Sequence, residues 1–188
     1  HKVLSAVALM EQARSADFSA ACEGVGSTVG GRYKLLERLG EGGFGIVYLA
    51  WDAALKRYVA IKEYMPYALA SREGDTLDVS LRTENDRPVF DAGLKSFVNE
   101  ARLLARFDHP ALVKVFSFWE ANRTAYMVMP YYEGPTLKAA LAALKRPASE
   151  QELREWIAPL LEALTVLHGE QCYHRDISPD NILLPAGG

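Results

Sequence analysis

The stretch YHRDISPDNILL, residues 173–184, carries a His-Arg-Asp triplet followed by an asparagine and a short apolar run. Residues 150–168 before it have the period of a long amphipathic helix, with a capping-box sequence at its start. The triplet therefore lies on a loop between a helix and a short strand. Asp176 and Asn181 are five residues apart on this loop, so a carboxylate and an amide can serve one site. A charged surface turn is the alternative, and the order of the motifs upstream argues against it.

A glycine cluster, GEGGFGIV at residues 40–47, lies between two predicted strands at residues 33–39 and 46–50. Glycines let the backbone approach phosphate groups and direct its N–H groups at them without a side-chain clash. In a dinucleotide-binding fold a helix would follow this pattern, whereas here β-branched and aromatic residues follow and predict a hairpin. A plain glycine-rich hairpin remains the alternative. The pattern glycines are Gly40, Gly42 and Gly45.

A third predicted strand, residues 57–62, ends in Val-Ala-Ile-Lys. Strand alternation puts Ala60 and Lys62 on one face. A small residue beside a lysine leaves room for a flat base and supplies a charge for phosphate. The alternative is an edge-strand lysine that points into solvent.

A predicted helix at residues 92–107 carries a glutamate on its apolar face. Phe97, Glu100 and Leu104 are three and four residues apart, so they share one side of the helix. An unpaired charge among apolar side chains is costly, and Lys62 is the candidate cation for Glu100. If Glu100 lies at the edge of the apolar stripe instead, water solvates it.

The remaining pattern completes a two-lobed α+β plan. Residues 24–31 predict a linker, 112–118 and 125–129 predict two more strands, and 136–144 predicts a short helix. Five strands with one inserted helix, followed by helices, indicate a small sheet lobe and a helical lobe. We divide the chain into an N-terminal extension at residues 1–28, helical through about residue 14 or disordered, a first lobe at 29–130 and the start of a second at 131–188.

In this order the motifs resemble those of the eukaryotic-like serine/threonine protein kinases of bacteria, over roughly residues 31–184. The resemblance implies the protein-kinase fold, with a five-stranded antiparallel N-lobe containing one helix and an incomplete helical C-lobe. It implies ATP and Mg²⁺ as cofactors and a protein substrate that accepts the γ-phosphate on a hydroxyl group.

The resemblance also implies roles for individual residues. Asp176 would be the catalytic base, Lys62 would contact the α- and β-phosphates and pair with Glu100, and Asn181 would bind the metal. Arg175 would bind a phosphate on the activation segment. The other implied ATP contacts are Gly40, Gly42 and Gly45 over the phosphates, Val47, Ala60 and Leu183 around the adenine, Met129 as gatekeeper, and Pro130 and Tyr132 in the hinge.

The sequence departs from the family pattern at three places: at residue 178, in the stretch 66–91, and at its end, which comes before any Asp-Phe-Gly segment. Ser178 stands where most serine/threonine members have a lysine that neutralises γ-phosphate charge, which predicts slower turnover unless another cation substitutes. The stretch 66–91 before the Glu100 helix is unusually long, and it predicts an ordinary loop or small hairpin, with a docking insert as the less favoured alternative.

The chain ends at Gly188, before any Asp-Phe-Gly segment. We expect the chain alone to bind ATP without transferring phosphate. We also expect the uncovered apolar face of the 150–168 helix to make it dimerise, swap an element or aggregate. The alternative function is a nucleotide-binding pseudokinase that acts by protein contact. A small-molecule phosphotransferase fits less well, because such relatives keep only parts of this motif set.

Composition narrows the function classes. A net charge of -3 gives no reason to expect nucleic-acid binding, and 49% hydrophobic residues supply an ordinary core. Cys22 and Cys172 are far apart, which predicts free thiols and a cytoplasmic location. No apolar stretch is long enough to span a membrane, so no membrane contact is expected from this segment. Because the chain begins at His1, we expect it to be part of a longer protein, which could be anchored elsewhere.

Overall fold

The computed structural model describes residues 3–4, 25–43, 45–72, 76–174 and 177–184, the first two by their backbone alone. Two short 3₁₀ turns form at Glu84–Asp86 and Pro179–Asn181. In chain order the elements are β1 (Val3–Leu4), β2 (Thr28–Val29), β3 (Tyr33–Gly42), β4 (Gly45–Asp52), β5 (Arg57–Tyr64), β6 (Ala70–Arg72), β7 (Val79–Leu81), α1 (Arg87–Leu104), β8 (Ser117–Ala121), β9 (Thr124–Pro130), α2 (Leu137–Leu144), α3 (Glu150–Gly169) and β10 (Ile182–Leu183).

An antiparallel sheet with one helix, followed by helices, is the α+β architecture that the sequence predicts. The sheet has six strands in the order β2–β3–β4–β5–β9–β8, so the prediction of five was wrong by one edge strand. The additional strand β2 lies in the predicted linker. Gly30 and Gly31 have φ angles of 58° and 63°, which glycine adopts without a steric penalty, and their turn folds β2 back onto β3.

The sheet is curled, so that the edge strand β8 contacts β3 near the opposite edge. Trp119 of β8 stacks on Tyr33 of β3, with ring centroids 5.6 Å apart, and on Tyr126 of β9, at 5.2 Å. Gly30 lies under the same indole, where a Cβ atom would be 3.1 Å from the ring. Large aromatic surfaces buried between strands that are distant in the sheet hold the curl in place.

Strand alternation gives the curled sheet two faces, and neighbouring residues of β5 separate them. Lys62 and Tyr64 point to the face that α1 covers, since both contact side chains of that helix. Glu63 points inside the curl, where Tyr48 donates a hydrogen bond to it at 3.1 Å. The first face carries the predicted site, and the second is the interior of the lobe.

The long stretch before α1 contains a small hairpin, β6–β7, as one reading of the sequence predicted. Arg72 of β6 forms a buried ion pair with Glu63 and donates to the Leu77 carbonyl oxygen at 2.9 Å. Val79 donates its backbone N–H to the Asn122 carbonyl oxygen in the β8–β9 turn, also at 2.9 Å. This insert is therefore part of the lobe's core packing.

A second apolar cluster joins the segment after α1 to α2, α3 and β10. The capping box predicted at Ser149 is present and begins α3. The buried members are Phe107, Ala111, Leu112, Leu137, Leu160, Ala163, Leu167 and Ile182.

Two further predictions need correction. The strand predicted at 112–118 begins at Ser117, although Val113 and Val115 are buried; their alternation reflects packing into the core without a hydrogen-bonded ladder. Val3 and Leu4, predicted as helical or disordered, form β1 and pair antiparallel with Leu183 and Ile182. The rest of that predicted helix, residues 5–14, and Cys22 lie outside the described residues, and Cys172 is a free thiol.

Candidate active site

The pairing of Lys62 with Glu100 that the sequence predicts is present in the structure. Nζ of Lys62 lies 3.3 Å from Oε1 of Glu100, and it lies 5.6 Å from the ring centre of Phe97. Lys62 lies on β5 and Glu100 lies on α1. The distance between the two side chains therefore depends on the position of α1 relative to β5.

The environment of this pair differs from the expected one. The side chain of Glu100 is 37% exposed, although Phe97 and Leu104 on the same helix are buried. Glu100 thus lies at the edge of the apolar stripe, and its desolvation is smaller than the sequence argument assumed. The side chain of Lys62 is 12% exposed and is held between the sheet and the helix.

The glycine cluster forms the turn between β3 and β4, where Gly42 pairs with Gly45. A Cβ atom on Gly45 would collide with the carbonyl oxygen of Glu63 and lie 3.3 Å from its carbonyl carbon. Glycine is therefore required here for β4 to approach β5, independently of any ligand. Phe44 of this turn lies outside the described residues.

The register of the sheet gathers most of the predicted nucleotide contacts on one face. Gly40 pairs with Val47, and Val47 pairs with Lys62 on β5. Ala60 pairs with Met129 on β9. Paired residues project to the same side of an antiparallel sheet, so a glycine backbone, two small apolar groups and an ammonium group are neighbours there. Val47, Ala60 and Met129 are buried in the structure.

The predicted hinge follows directly from this sheet. Pro130 ends β9 and pairs with Val59, a position that needs only its carbonyl group. Tyr132 is half-buried, and burial raises the pKa of its phenol. Four residues on, the Thr136 hydroxyl accepts a hydrogen bond from the Ala139 N–H at 3.2 Å and begins α2.

The polar loop after α3 is tied to the hinge side of the second lobe. Leu184 donates its N–H to the Pro135 carbonyl oxygen at 2.9 Å, and Leu183 forms a bridge with Thr136. Asp180 forms an ion pair with Lys138 of α2 at 2.9 Å. The loop therefore leads to β10 through fixed contacts with the segment that starts α2.

Asn181, the predicted metal ligand, is buried in the 3₁₀ turn and donates its backbone N–H to the Ser178 carbonyl oxygen at 2.9 Å. Arg175 and the predicted base Asp176 lie outside the described residues. Leu183, predicted to contact adenine, is buried beside the start of α2.

The amide oxygen of Asn181 suits Mg²⁺, which prefers oxygen ligands. Among the residues that the structure describes, no group of three or more His, Cys, Asp or Glu side chains could hold a metal by itself. This donor set still fits Mg²⁺, because that ion usually takes one or two protein oxygens and completes its shell with phosphate oxygens and water.

Sequence reasoning missed the buried network on the other face of β5. Glu63 and Arg72 have side-chain exposures of 1% and 2%. Burial opposes the charge of Arg72, but the neighbouring Glu63 carboxylate raises the pKa of the guanidinium overall. Burial and the same carboxylate raise the pKa of Tyr48. A glutamate at an inward strand position after Val59 and Ile61 was the signal that could have revealed this pair.

A cavity of about 800 Å³ lies on another part of the first lobe. Its lining combines both signs of charge with apolar groups from β7, the start of α1 and the β8–β9 turn, including Leu81, Arg87, Phe90, Asp91 and Arg123. It contains none of the predicted site residues. We therefore assign the candidate site by the motif residues that share the Lys62 face.

The chain is similar to known proteins in both sequence and structure. The sequence profile of the family described as "Protein kinase domain" matches residues 33–187. The chain is 32% identical over 160 residues to the serine/threonine-protein kinase PrkC of Bacillus subtilis, covering 85% of this chain and 22% of that protein. It is 33% identical over 163 residues to the serine/threonine-protein kinase PknD of Chlamydia trachomatis serovar L2b, covering 81% and 15%. The chain thus spans about a fifth or less of these relatives.

Two solved structures share the fold. The structure "PpkA-294 apo form" matches with a TM-score of 0.80 and 48% identity over 86% of this chain and 57% of that one. The structure of Rad53 1-466 in complex with AMP-PNP matches with a TM-score of 0.63 and 24% identity, over 83% of this chain and 35% of that one. The second likeness concerns the fold alone.

Proposed function

Because this chain belongs to the protein kinase domain family, we propose that the protein containing it is an ATP-dependent serine/threonine protein kinase. It transfers the γ-phosphate of ATP to a hydroxyl group on a protein. The observation that carries this proposal is the Lys62–Glu100 pair, at 3.3 Å on the sheet face beside the glycine turn.

In the proposed reaction the first lobe binds the nucleotide. The backbone of the glycine turn donates N–H groups to the phosphates, and Lys62, oriented by Glu100, neutralises the α- and β-phosphate oxygens. The adenine lies against Val47 and Ala60, with Met129 as gatekeeper. The Pro130 carbonyl oxygen and the Tyr132 backbone provide its hydrogen bonds.

The second lobe supplies the groups around the transferred phosphate. Asp176 accepts the proton of the substrate hydroxyl as that oxygen bonds to the γ-phosphorus, while the bond from the γ-phosphorus to the β,γ-bridging oxygen breaks and ADP leaves. Asn181 would hold Mg²⁺, which when bound neutralises charge on the phosphate oxygens. Ser178 cannot supply the cation that a lysine provides at this position, so we expect slower turnover than in relatives with lysine there.

We propose a boundary between the lobes near residue 130, with 29–130 as the first lobe, 131–188 as the hinge and start of the second, and 1–28 as an extension. Two separate apolar clusters support this division. Phe107, Ala111 and Leu112 nevertheless pack in the second cluster, so the segment after α1 belongs in packing terms to both lobes.

Autophosphorylation of the full-length protein with labelled ATP tests the proposal. Asp176→Asn should lower incorporation by at least about 10²-fold, the usual contribution of a general base. Asp108→Asn is the matched control, since the Asp108 side chain is 89% exposed and pairs with Lys114, which is not one of the predicted site residues. Equal labelling of the Asp176→Asn variant and the wild type would refute the assignment.

A nucleotide-binding pseudokinase is the second candidate, and Ser178 favours it. Titration of the full-length protein with Mg-ATP while following thermal unfolding separates the two. Stabilisation without phosphate transfer would support the pseudokinase, whereas stabilisation with transfer supports the enzyme.

We further infer a cytoplasmic location, because ATP is the proposed substrate and Cys172 is a free thiol. Among the described residues no helix is both long and apolar enough to cross a membrane.

We propose that the chain of residues 1–188 self-associates through α3. Leu153, Ile157 and Leu161 follow one another at intervals of four and are exposed, with Leu161 at 58%. Light scattering over a concentration series should show dimers or larger species, and Leu161→Glu should shift them toward monomer. A monomer at all concentrations would disprove this.

A further inference from the structure

Tyr64 connects the strand that carries Lys62 to the helix that carries Glu100. It lies two residues after Lys62 and on the same face of β5, and it is buried. Its ring packs against Phe90 and Phe97 of α1, with centroids 5.1 and 5.9 Å apart. Its hydroxyl donates to the Phe90 carbonyl oxygen at 3.1 Å. The side chain is therefore fixed by ring contacts on two turns of α1 and by one polar contact.

Gly93 is the point at which α1 comes closest to this ring. A Cβ atom on Gly93 would lie 2.9 Å from Cζ of Tyr64 and would overlap its hydroxyl oxygen. Glycine is the least favourable helix residue after proline, yet it stands inside the 18-residue helix α1. Because Phe90 and Phe97 enclose the ring, the ring cannot swing aside without losing its packing. A side chain at residue 93 would instead push the helix outward by roughly 1 Å or more.

The outward movement would reach the ion pair directly. Phe97, which touches Tyr64, also lies 5.6 Å from the Lys62 ammonium group, and Glu100 follows it by one helical turn. The Lys62–Glu100 separation of 3.3 Å is already longer than the roughly 2.8 Å of a close charge-assisted hydrogen bond. A small displacement of α1 would therefore break it.

We propose that Tyr64 and Gly93 form an interlock that sets the distance between α1 and β5, and that both are positioning residues for the Lys62–Glu100 pair. Its functional part rests on the proposed ATP-binding site. Its structural part, the steric complementarity of ring and glycine, does not.

Gly93→Ala in the full-length protein tests the structural part by the sign of its effect. Alanine favours a helix over glycine, so without the interlock this change should raise the melting temperature. We expect it to fall by several degrees. Gly169→Ala, at the end of α3 where a Cβ atom would meet nothing within 4 Å, is the matched control and should not lower it. In the double variant with Tyr64→Leu, which removes the ring, Gly93→Ala should no longer destabilise.

The Mg-ATP dissociation constant tests positioning. Gly93→Ala should raise it about tenfold, as expected for loss of one oriented charged contact. In a Glu100→Gln background the same change should alter it less than twofold, because the pair is already broken. Tyr64→Phe, which keeps the ring, should stay within about threefold of wild type.

A Gly93→Ala variant as stable as the control would overturn the interlock. A tenfold effect that persists undiminished in the Glu100→Gln background would overturn the positioning role and leave a purely structural one. A wild type that binds Mg-ATP but transfers no phosphate would refute the proposed kinase function alone, since both readouts here concern folding and binding.

Discussion

Lys62 and Glu63 are neighbours on one strand, and each forms an ion pair with a residue outside it, but the two pairs differ in character. Lys62 meets Glu100 of a helix at 3.3 Å, and that glutamate is 37% exposed. Glu63 meets Arg72 of the inserted hairpin with both side chains at most 2% exposed. The first pair is long and open on one side, whereas the second is enclosed in the curled sheet.

The hydrogen bonds around each pair extend this difference. Glu63 also accepts from Tyr48, and Arg72 also donates to the Leu77 carbonyl oxygen, so the buried charges have several partners. Satisfied buried charges of this kind are costly to disrupt and serve the fold. A partly solvated pair contributes little to folding stability and costs little to open. One strand thus carries a structural pair on one face and a candidate functional pair on the other.

The largest effect should come from breaking the buried pair. Arg72→Met leaves the Glu63 carboxylate buried without its cation, which should lower the free energy of unfolding by about 3–5 kcal/mol. Urea denaturation measures it. Arg82→Met is the matched control, because Arg82 is exposed and its side chain donates to the Tyr67 carbonyl oxygen; it should cost under about 1 kcal/mol.

Replacing both members of the buried pair sharpens the same comparison. Glu63→Met with Arg72→Met removes both charges, and apolar replacements of buried ion pairs are often close to neutral. The double variant should therefore recover most of the stability that Arg72→Met alone loses. If both variants were equally unstable, packing of the hairpin, and not charge, would dominate.

Breaking the partly exposed Lys62–Glu100 pair should affect ATP binding more than folding stability. Glu100→Gln keeps the side-chain volume, and it should raise the Mg-ATP dissociation constant about tenfold, or ~1.4 kcal/mol. It should change the free energy of unfolding by less than about 1 kcal/mol. Calorimetric titration and urea denaturation measure the two quantities. Glu155→Gln, at an exposed position of α3 where Glu155 accepts a hydrogen bond from Gln151, should change neither.

The sequence predicted one of these two ion pairs, Lys62 with Glu100, but not the other. Periodicity put Glu100 and Phe97 on one side of a helix, strand alternation put Lys62 beside Ala60, and the structure brings Lys62 and Glu100 together. The partner of Glu63 could not be found in this way, because Arg72 lies in an insert with no helical or strand period of its own. Its position is set by the β6–β7 hairpin, which forms a two-stranded sheet of its own.

The differences between the predicted and the observed sheet also arise from limits of local sequence patterns. Strand β2 is two residues long and follows from a glycine turn, which local patterning treats as a linker. The alternation at Val113 and Val115 predicted a strand, yet those side chains only fill the core. Burial and hydrogen-bonded pairing produce the same pattern in a short segment, so the sequence alone could not separate them.

The smallest expected effect concerns salt. Screening weakens interactions between solvated charges, with a Debye length that falls from about 10 Å at 0.1 M to about 3 Å at 1 M, and it affects enclosed pairs much less. The ratio of Mg-ATP dissociation constants between Glu100→Gln and wild type should therefore shrink by roughly twofold between 0.1 and 0.5 M potassium chloride. The difference in unfolding free energy between Arg72→Met and wild type should stay constant over the same range.

Taking a ratio cancels the salt dependence of ATP binding that both proteins share. A constant ratio would mean that Lys62 and Glu100 are as enclosed in solution as Glu63 and Arg72, and that the two faces of β5 differ in partners but not in solvation.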